Sequence, residues 1–347
     1  MRIIKLIHLG VGRVGGELIR QIRSRHNYIK NNFHIKIRYC GLFNSKEGVF
    51  NKSGLSEKEI RNFPGILNTT IKAGIKVIDG SFILIDTSAS SETYPILLEV
   101  LQRGGYVVLS NKKPLTKTQK EYNILNKIGK GRVFYETTVG AGLPIINTLQ
   151  TLISSGDEIV SIEGCFSGTL GFLFSSLEDG MTFSKSVKLA QKKGYTEPDP
   201  RDDLGGLDVA RKALILARLI GHSLELSDIK LQKLYPENLE SISPEDFMSK
   251  MSLLDKEYKA KMAKAKKKGR TLRFIASLAQ VGCQVGLSEV SQNSDIGLLR
   301  GPDNIISIKT KRYFDQPLVI KGPGAGAEVT AAGVFGDILE IAKNIKD

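Results

Sequence analysis

The sequence predicts an α/β fold in which a doubly wound parallel sheet is followed by a second, mixed α+β domain, and three observations carry that reading. Short apolar runs alternate with amphipathic helical stretches through residues 1–142. A G-x-G-x-x-G pattern lies between the first apolar run and the first helical stretch. From Leu143 onward the texture changes to several helices and then strand-rich sequence as far as Val319.

Composition sets the outer limits. A chain of 347 residues is long enough for two domains, and hydrophobic and charged shares of 41% and 25% belong to a folded globular chain rather than a disordered one. Cys40, Cys165 and Cys283 are far apart and match no zinc or C-x-x-C spacing, and the four histidines form no ligand-like cluster, which points to a reducing cytoplasm. The opening "MRIIKLIHLG" is too short for a signal peptide core, and no apolar run reaches membrane-spanning length, so no membrane partner is expected.

Taken in order, "IIKLIHLG" reads as a strand, followed by a Gly-rich turn and the helix "GGELIRQIRSRHN". Next come the strand "IKIRYCGLF", the strand "FILIDTSAS", the helix "ETYPILLEVLQRG", the strand "YVVLS", a helix after "NKKPLT" and the strand "RVFYETTV". The second domain opens with the helix "LPIINTLQTLISSG" and the alternating segment "EIVSIEGCFSG". After several further helices and the strand-rich part, residues 320–347 form a Gly-rich loop and a helix, "TAAGVFGDILEIAKNIK", that is expected to return to the first domain. The domains are therefore 1–142, 143–319 and the returning segment 320–347.

The net charge of +14 would suit nucleic acid, and the densest basic run is "KEYKAKMAKAKKKGR", Lys256 to Arg270. That run lacks interleaved aromatics for stacking, and its lysines recur at helical positions, so it reads as a solvated helix face with no nucleic-acid partner. Anionic cofactors suit a basic protein equally well.

In "LIHLGVGRVGGELI", Gly10 permits a tight turn, Gly12 lets a pyrophosphate approach the backbone and Gly15 lets helix and strand pack closely, with the helix N-terminus facing the anion. Val11, Arg13 and Val14 complete this Rossmann-like fingerprint. An acidic residue after the second strand would bind the adenosine ribose and repel a phosphate, but Asn44, Ser45 and Lys46 stand there, which favours NADP over NAD. Arg13 can add a second phosphate contact. At other strand ends, Thr87, Ser88 and Ser90 can reach ribose or nicotinamide, or can cap the following helix. Asn111 and Lys112 follow "VVLS"; Lys112 can sit over the nicotinamide or be an ordinary turn lysine.

The stretch "GYTEPDPRDDLGGLDVARK", Gly194 to Lys212, crowds charge against an apolar helix. Asp208 and Lys212 are four apart and lead into the stripe of Ile215 and Leu219, where an ion pair is costly unless it is used. The prolines can hold Glu197 beside the helix start, so two carboxylates and two lysines can receive a zwitterionic amino acid. Asp199, Asp202 and Asp203 are expected to cap the helix.

With "GVGRVG", "NKK", "YETTVGAGLPII", "FSGTLGF", the long acidic motif and "GPGAGAEVTAAGVFGDIL" in this order, the sequence resembles the homoserine dehydrogenase family over essentially its whole length. The resemblance implies NAD(P)-dependent interconversion of homoserine and aspartate 4-semialdehyde, on the route to threonine, methionine and isoleucine. It implies Lys112 and Lys212 as the catalytic pair, Glu197 and Asp208 as substrate ligands, and Ser167, Gly168 and Thr169 near the substrate. It implies a sodium or potassium ion held by the Glu136 side chain and by backbone at Val139, Ala141 and Leu143, whose hard oxygens suit such an ion. Gly322, Gly324 and Gly326 would close over the cofactor, with Glu328 or Thr330 capping the last helix. A homodimer formed through the strand-rich part is expected, and regulation by threonine through an appended domain is not. The rival enzyme reading is another Rossmann-fold amino-acid or semialdehyde oxidoreductase; no cysteine stands in a nucleophile's context.

Overall fold

The computed structural model describes residues 1–65, 69–279 and 282–345. The chain divides into two compact units, Met1–Gly142 with Gly326–Asp347, and Leu143–Ala325.

In the first unit the elements are β1 (Arg2–Leu9), α1 (Arg13–Ser24), α2 (His26–Phe33), β2 (Ile35–Phe43), β3 (Gly48–Phe50), α3 (Glu57–Arg61), α4 (Ile71–Val77), β4 (Phe82–Asp86), α5 (Tyr94–Gln102), β5 (Tyr106–Leu109), α6 (Gln119–Ile128) and β6 (Val133–Phe134). They build a sheet of order β3-β2-β1-β4-β5-β6. β1 pairs in parallel with both β2 and β4, and β5 joins β4 and β6 in parallel, so the strand order reverses at β1/β4. Crevices at such reversals receive ligands in open α/β sheets. β4 is buried throughout, as a strand covered on both faces must be.

The edge strand β3 departs from the all-parallel reading because it pairs antiparallel with β2. The Asn44 side chain accepts the Lys46 and Glu47 amides at 2.8 and 2.7 Å, closing a tight turn where a parallel neighbour would require a crossover. On α1, Leu18, Ile19 and Ile22 form the buried stripe, and they share a core with Ile338, Ile341 and Ala342 of the chain's last helix.

The second unit contains α7 (Ile145–Ser154), β7 (Ile159–Cys165), α8 (Gly168–Glu178), α9 (Phe183–Lys192), α10 (Pro200–Leu204), α11 (Leu207–Leu219), β8 (Lys230–Leu231), α12 (Pro244–Lys250), α13 (Asp255–Lys267), β9 (Arg270–Ala279), β10 (Gly282–Ser291), β11 (Asp303–Thr310) and β12 (Leu318–Pro323). The last helix of the chain, α14 (Ala327–Asn344), belongs to the first unit; Lys346, read as part of this helix, lies outside the described residues. The second sheet runs β12-β11-β7-β9-β10-β8, antiparallel except for β8 beside β10. Fully buried Arg273 on β9 donates to Glu178 at the end of α8 and to the carbonyls of Gly297 and Leu299, tying a loop to the sheet with charge-assisted hydrogen bonds. The basic run is α13, where Tyr258 and Ala265 are buried and the lysines lie on the remaining surface.

Candidate active site

In the first unit, the glycine turn is built as its spacing requires. Gly10 has φ +82 and donates its amide to Phe43 O at 2.8 Å; a Cβ there would stand 2.5 Å from the Ser88 nitrogen. Gly12 starts α1 with no side-chain cap, no acid in the first turn and open space where a Cβ would point. Uncapped amides, the positive helix end and free space together fit the pyrophosphate of a dinucleotide. A Cβ on Gly15 would meet Gly10 O at 2.9 Å and the His8 imidazole at 3.0 Å. Val11 and Val14 pack against the core, while Arg13 is exposed at the first position of α1. Asn44, Ser45 and Lys46 are exposed just past β2.

Past β4, the hydroxyls have protein partners. Thr87 Oγ1 lies 2.8 Å from Gly10 O and 2.9 Å from His8 Nε2. Ser88 Oγ donates to Asp86 at 2.6 Å, and Ser90 Oγ accepts from the Glu92 amide, so none of the three caps α5, which starts at Thr93 without a side-chain cap. Asn111 donates to Asp86 Oδ2 at 3.0 Å and to Ser90 O at 2.8 Å, and accepts from the Lys113 amide at 3.1 Å. Fully buried Asp86 thus ties the ends of β4 and β5 together. Sequence reading missed it, although an acid just before a Thr-Ser-x-Ser run is a signal for such a turn. Lys112 stands half-buried at the start of a 3-10 turn, Lys113–Thr116, and its carbonyl accepts the Thr116 hydroxyl at 3.2 Å.

The segment read as the strand "RVFYETTV" pairs only at Val133 and Phe134 and then turns into a 3-10 helix, Glu136–Thr138. The Glu136 amide leaves the ladder to donate to Asp337 Oδ2 of α14 at 3.1 Å. Both carboxyl groups are buried, and burial, reinforced by the Glu136 charge, pushes the Asp337 carboxyl up to about 8. Val139 is buried and Ala141 has φ 53, a left-handed turn unusual for a residue with a Cβ. Two buried carboxyls beside a strained loop fit a bound cation. Leu143 opens the second unit. Neither Glu328 nor Thr330 caps α14: the Thr330 hydroxyl donates back to Gly326 O at 2.7 Å, exposed Glu328 contributes its carbonyl to Gln21, and the helix starts from Gly326 without a side-chain cap.

In the second unit, the acidic stretch forms two helices. Gly206, at φ 71, breaks the chain between α10 and α11. Asp199 caps the short α10, accepting the Arg201 amide at 3.0 Å, and α11 has no side-chain cap, which corrects the expectation of one acid-capped helix. Asp203 accepts the Glu197 amide at 2.8 Å and the hydroxyl of buried Thr169 at 2.9 Å. Burial raises the Asp203 carboxyl above its ordinary range. Its role in holding the Glu197 loop was not legible from spacing.

The Lys212 ammonium is nearly buried; it donates to Phe166 O at 2.6 Å and pairs with Asp208 at 2.9 Å. Phe166 ends the turn from β7 into α8, where Ser167 caps the helix by accepting the Leu170 amide and Gly168 approaches Pro302 O, 2.9 Å from where a Cβ would be. Glu197, Asp208 and Ser167 line one cavity of about 820 Å³ with Arg211, Lys233 and Tyr235. The fold therefore brings the predicted substrate carboxylates together and sets the predicted lysine beside one of them. Gly322 lies in β12 and Gly324 follows it, packed on the buried Asn304 carboxamide, which has no protein partner.

Among the described residues no group of three or more His, Cys, Asp or Glu forms a metal cluster, and no helix is long and apolar enough to cross a membrane.

A family model described as homoserine dehydrogenase matches residues 144–339. The chain is 37% identical over 351 residues to the bifunctional aspartokinase/homoserine dehydrogenase of Haemophilus influenzae, covering 97% of this chain but 43% of that protein. It is 37% identical to the homoserine dehydrogenase of Saccharomyces cerevisiae, with 99% of both chains covered. Among solved structures, a protein of unknown function from Candida auris superposes with a TM-score of 0.93 at 31% identity over the whole of both chains. A hyperthermophilic archaeal homoserine dehydrogenase in complex with NADPH matches in fold, with a TM-score of 0.76 at 22% identity over 99% of each chain. The chain thus spans about two fifths of the bifunctional relative and nearly all of the yeast one, and it belongs to the homoserine dehydrogenase family of oxidoreductases.

Proposed function

We propose that this chain interconverts L-homoserine and L-aspartate 4-semialdehyde with NADP(H). The observation that carries the reading is the second unit's cavity, where Glu197 and Asp208 line one space and Lys212 is held between Asp208 and Phe166 O. Two carboxylates suit the ammonium of an amino acid, and a held lysine suits an exchanging hydroxyl proton. The nicotinamide, when bound, accepts or returns the hydride. Lys112 and Lys212 are the proposed pair for proton transfer and orientation, and Gly168 and Thr169 shape the substrate end, with Thr169 acting through Asp203.

Cofactor binding is assigned to Gly10 through Gly15, to the exposed Asn44–Lys46 segment, to the strand ends at Thr87, Ser88, Asn111 and Lys112, and to Gly324 and Glu328. Asn44, Ser45 and Lys46, in place of an acid directly after β2, support NADP, as does the NADPH bound by the archaeal enzyme of similar fold. A sodium or potassium ion would be held by Glu136 with the backbone at Val139, Ala141 and Leu143; the buried Glu136 and Asp337 carboxyls support that reading. Homodimerisation through the second sheet belongs to the same reading, because its edge strand β12 leaves Val319, Lys321 and Pro323 exposed.

The test follows nicotinamide absorbance with aspartate 4-semialdehyde and NADPH or NADH, and with homoserine in reverse. Oxidation of NADPH faster than of NADH is expected. Turnover of other semialdehydes but not of this one would replace the reading with the rival oxidoreductase.

A further inference from the structure

His8 lies near the end of β1, fully buried, with its ring 6.2 Å from that of Tyr39 and nearly parallel to it. Its Nε2 is 2.9 Å from Thr87 Oγ1, and that oxygen is 2.8 Å from Gly10 O and 3.3 Å from Leu9 O. A threonine hydroxyl has one proton to give, and a carbonyl oxygen only accepts. If the proton went to the imidazole, two acceptor oxygens would face each other at 2.8 Å with no hydrogen between them. The hydroxyl therefore donates to Gly10 O, and Nε2 must carry the proton that the hydroxyl accepts. Nδ1 has no protein partner, so the opposite tautomer would also leave a buried N–H unmet.

We propose that His8 is a positioning residue for the cofactor loop, donating through Nε2–H to Thr87, whose hydroxyl donates in turn to the Gly10 carbonyl. This rests on the reading that the loop holds a dinucleotide. The Gly10 carbonyl also accepts the Gly12 amide at 2.8 Å, so it joins the relay to the glycine expected to meet the pyrophosphate. The third glycine of the motif leaves room for the relay, because a Cβ on Gly15 would meet both His8 and Gly10 O. Burial keeps the imidazole neutral, pulling its titration down to about 3, so the donor tautomer persists across the physiological range.

The test pairs the nitrogen-15 spectrum of the His8 imidazole with NADPH affinity in wild type, His8→Leu and His8→Gln. An Nε2–H neutral imidazole is expected near pH 7. His8→Leu should weaken NADPH binding about tenfold, with the loss in cofactor Kd and KM rather than in kcat. His8→Gln, whose amide can donate to Thr87, should recover most of that loss. An Nδ1–H or doubly protonated ring overturns the relay even if the variants fail to fold. Equal NADPH affinity in all three proteins, or a folded His8→Gln as impaired as His8→Leu, overturns the positioning role. A wild-type protein with the Nε2–H spectrum that binds neither NADPH nor NADH overturns the cofactor reading and the positioning role with it, while a wrong tautomer in an NADPH-binding protein overturns the relay alone.

Discussion

The glycine turn of the first unit and the acidic cavity of the second offer opposite chemistry to a polar ligand. The turn offers backbone amides, open space at Gly12 and no acid in the first turn of α1, so its selectivity comes from side chains that are missing. The cavity offers Glu197, Asp203 and Asp208 on its wall, and Lys212 is held against Asp208 and Phe166 O beside it. An anion with many oxygens suits a ring of amides, whereas a small zwitterion needs discrete opposite charges at fixed places. A substitution in the turn should therefore act by filling space, and one in the cavity by removing charge.

The largest effect is expected from the lysines. Lys112→Ala and Lys212→Ala should each lower kcat by roughly a thousandfold while circular dichroism and Tm stay near wild type; near-normal turnover from both would remove the proton-transfer role. Next, Glu197→Gln and Asp208→Asn should raise the homoserine KM by about ten- to a hundredfold in steady-state assays, with a smaller change in the NADPH KM. In the turn, two neighbouring glycines separate space from strain. Gly12→Ala should fold normally and raise the NADPH KM about tenfold. Gly10→Ala, at φ +82 and against the Ser88 backbone, should lower stability by about 2–3 kcal/mol in urea unfolding. Smallest is Thr169→Val, which removes a hydroxyl held by Tyr195 O and Asp203 and should cost about 1–2 kcal/mol.

The turn also carries a pH signature. His8 has a folded value of about 3 against an ordinary 6.5. Below pH 6.5 the unfolded chain takes up a proton that the folded chain refuses, so stability falls as pH drops from 6.5 toward 3, by up to about 1.4 kcal/mol per pH unit. Urea unfolding of His8→Leu across this range should lack that one-proton slope.

How much of this was readable in advance followed from which groups interact locally. The α/β class, the glycine turn and the crowding of Glu197, Asp208 and Lys212 were legible because each depends on local periodicity or on one continuous stretch. The break at Gly206 was hidden by an apolar pattern that resumes one residue later. Asp337, Asp86 and His8 were not legible as site-shaping residues, since their partners at Glu136, Asn111 and Thr87 are far along the chain and only the packed sheet and α14 bring them together. The loss of the strand at Glu136 has the same origin, for the Asp337 carboxyl oxygen captures an amide that local propensity would have left in the ladder.

If the turn holds the cofactor while the cavity holds the substrate, the NADPH dissociation constant of the Glu197→Gln/Asp208→Asn double variant, measured beside its turnover, separates the two. That division of labour predicts NADPH affinity within about twofold of wild type and turnover reduced by a hundredfold or more. A loss of NADPH affinity as large as the loss of turnover would contradict it.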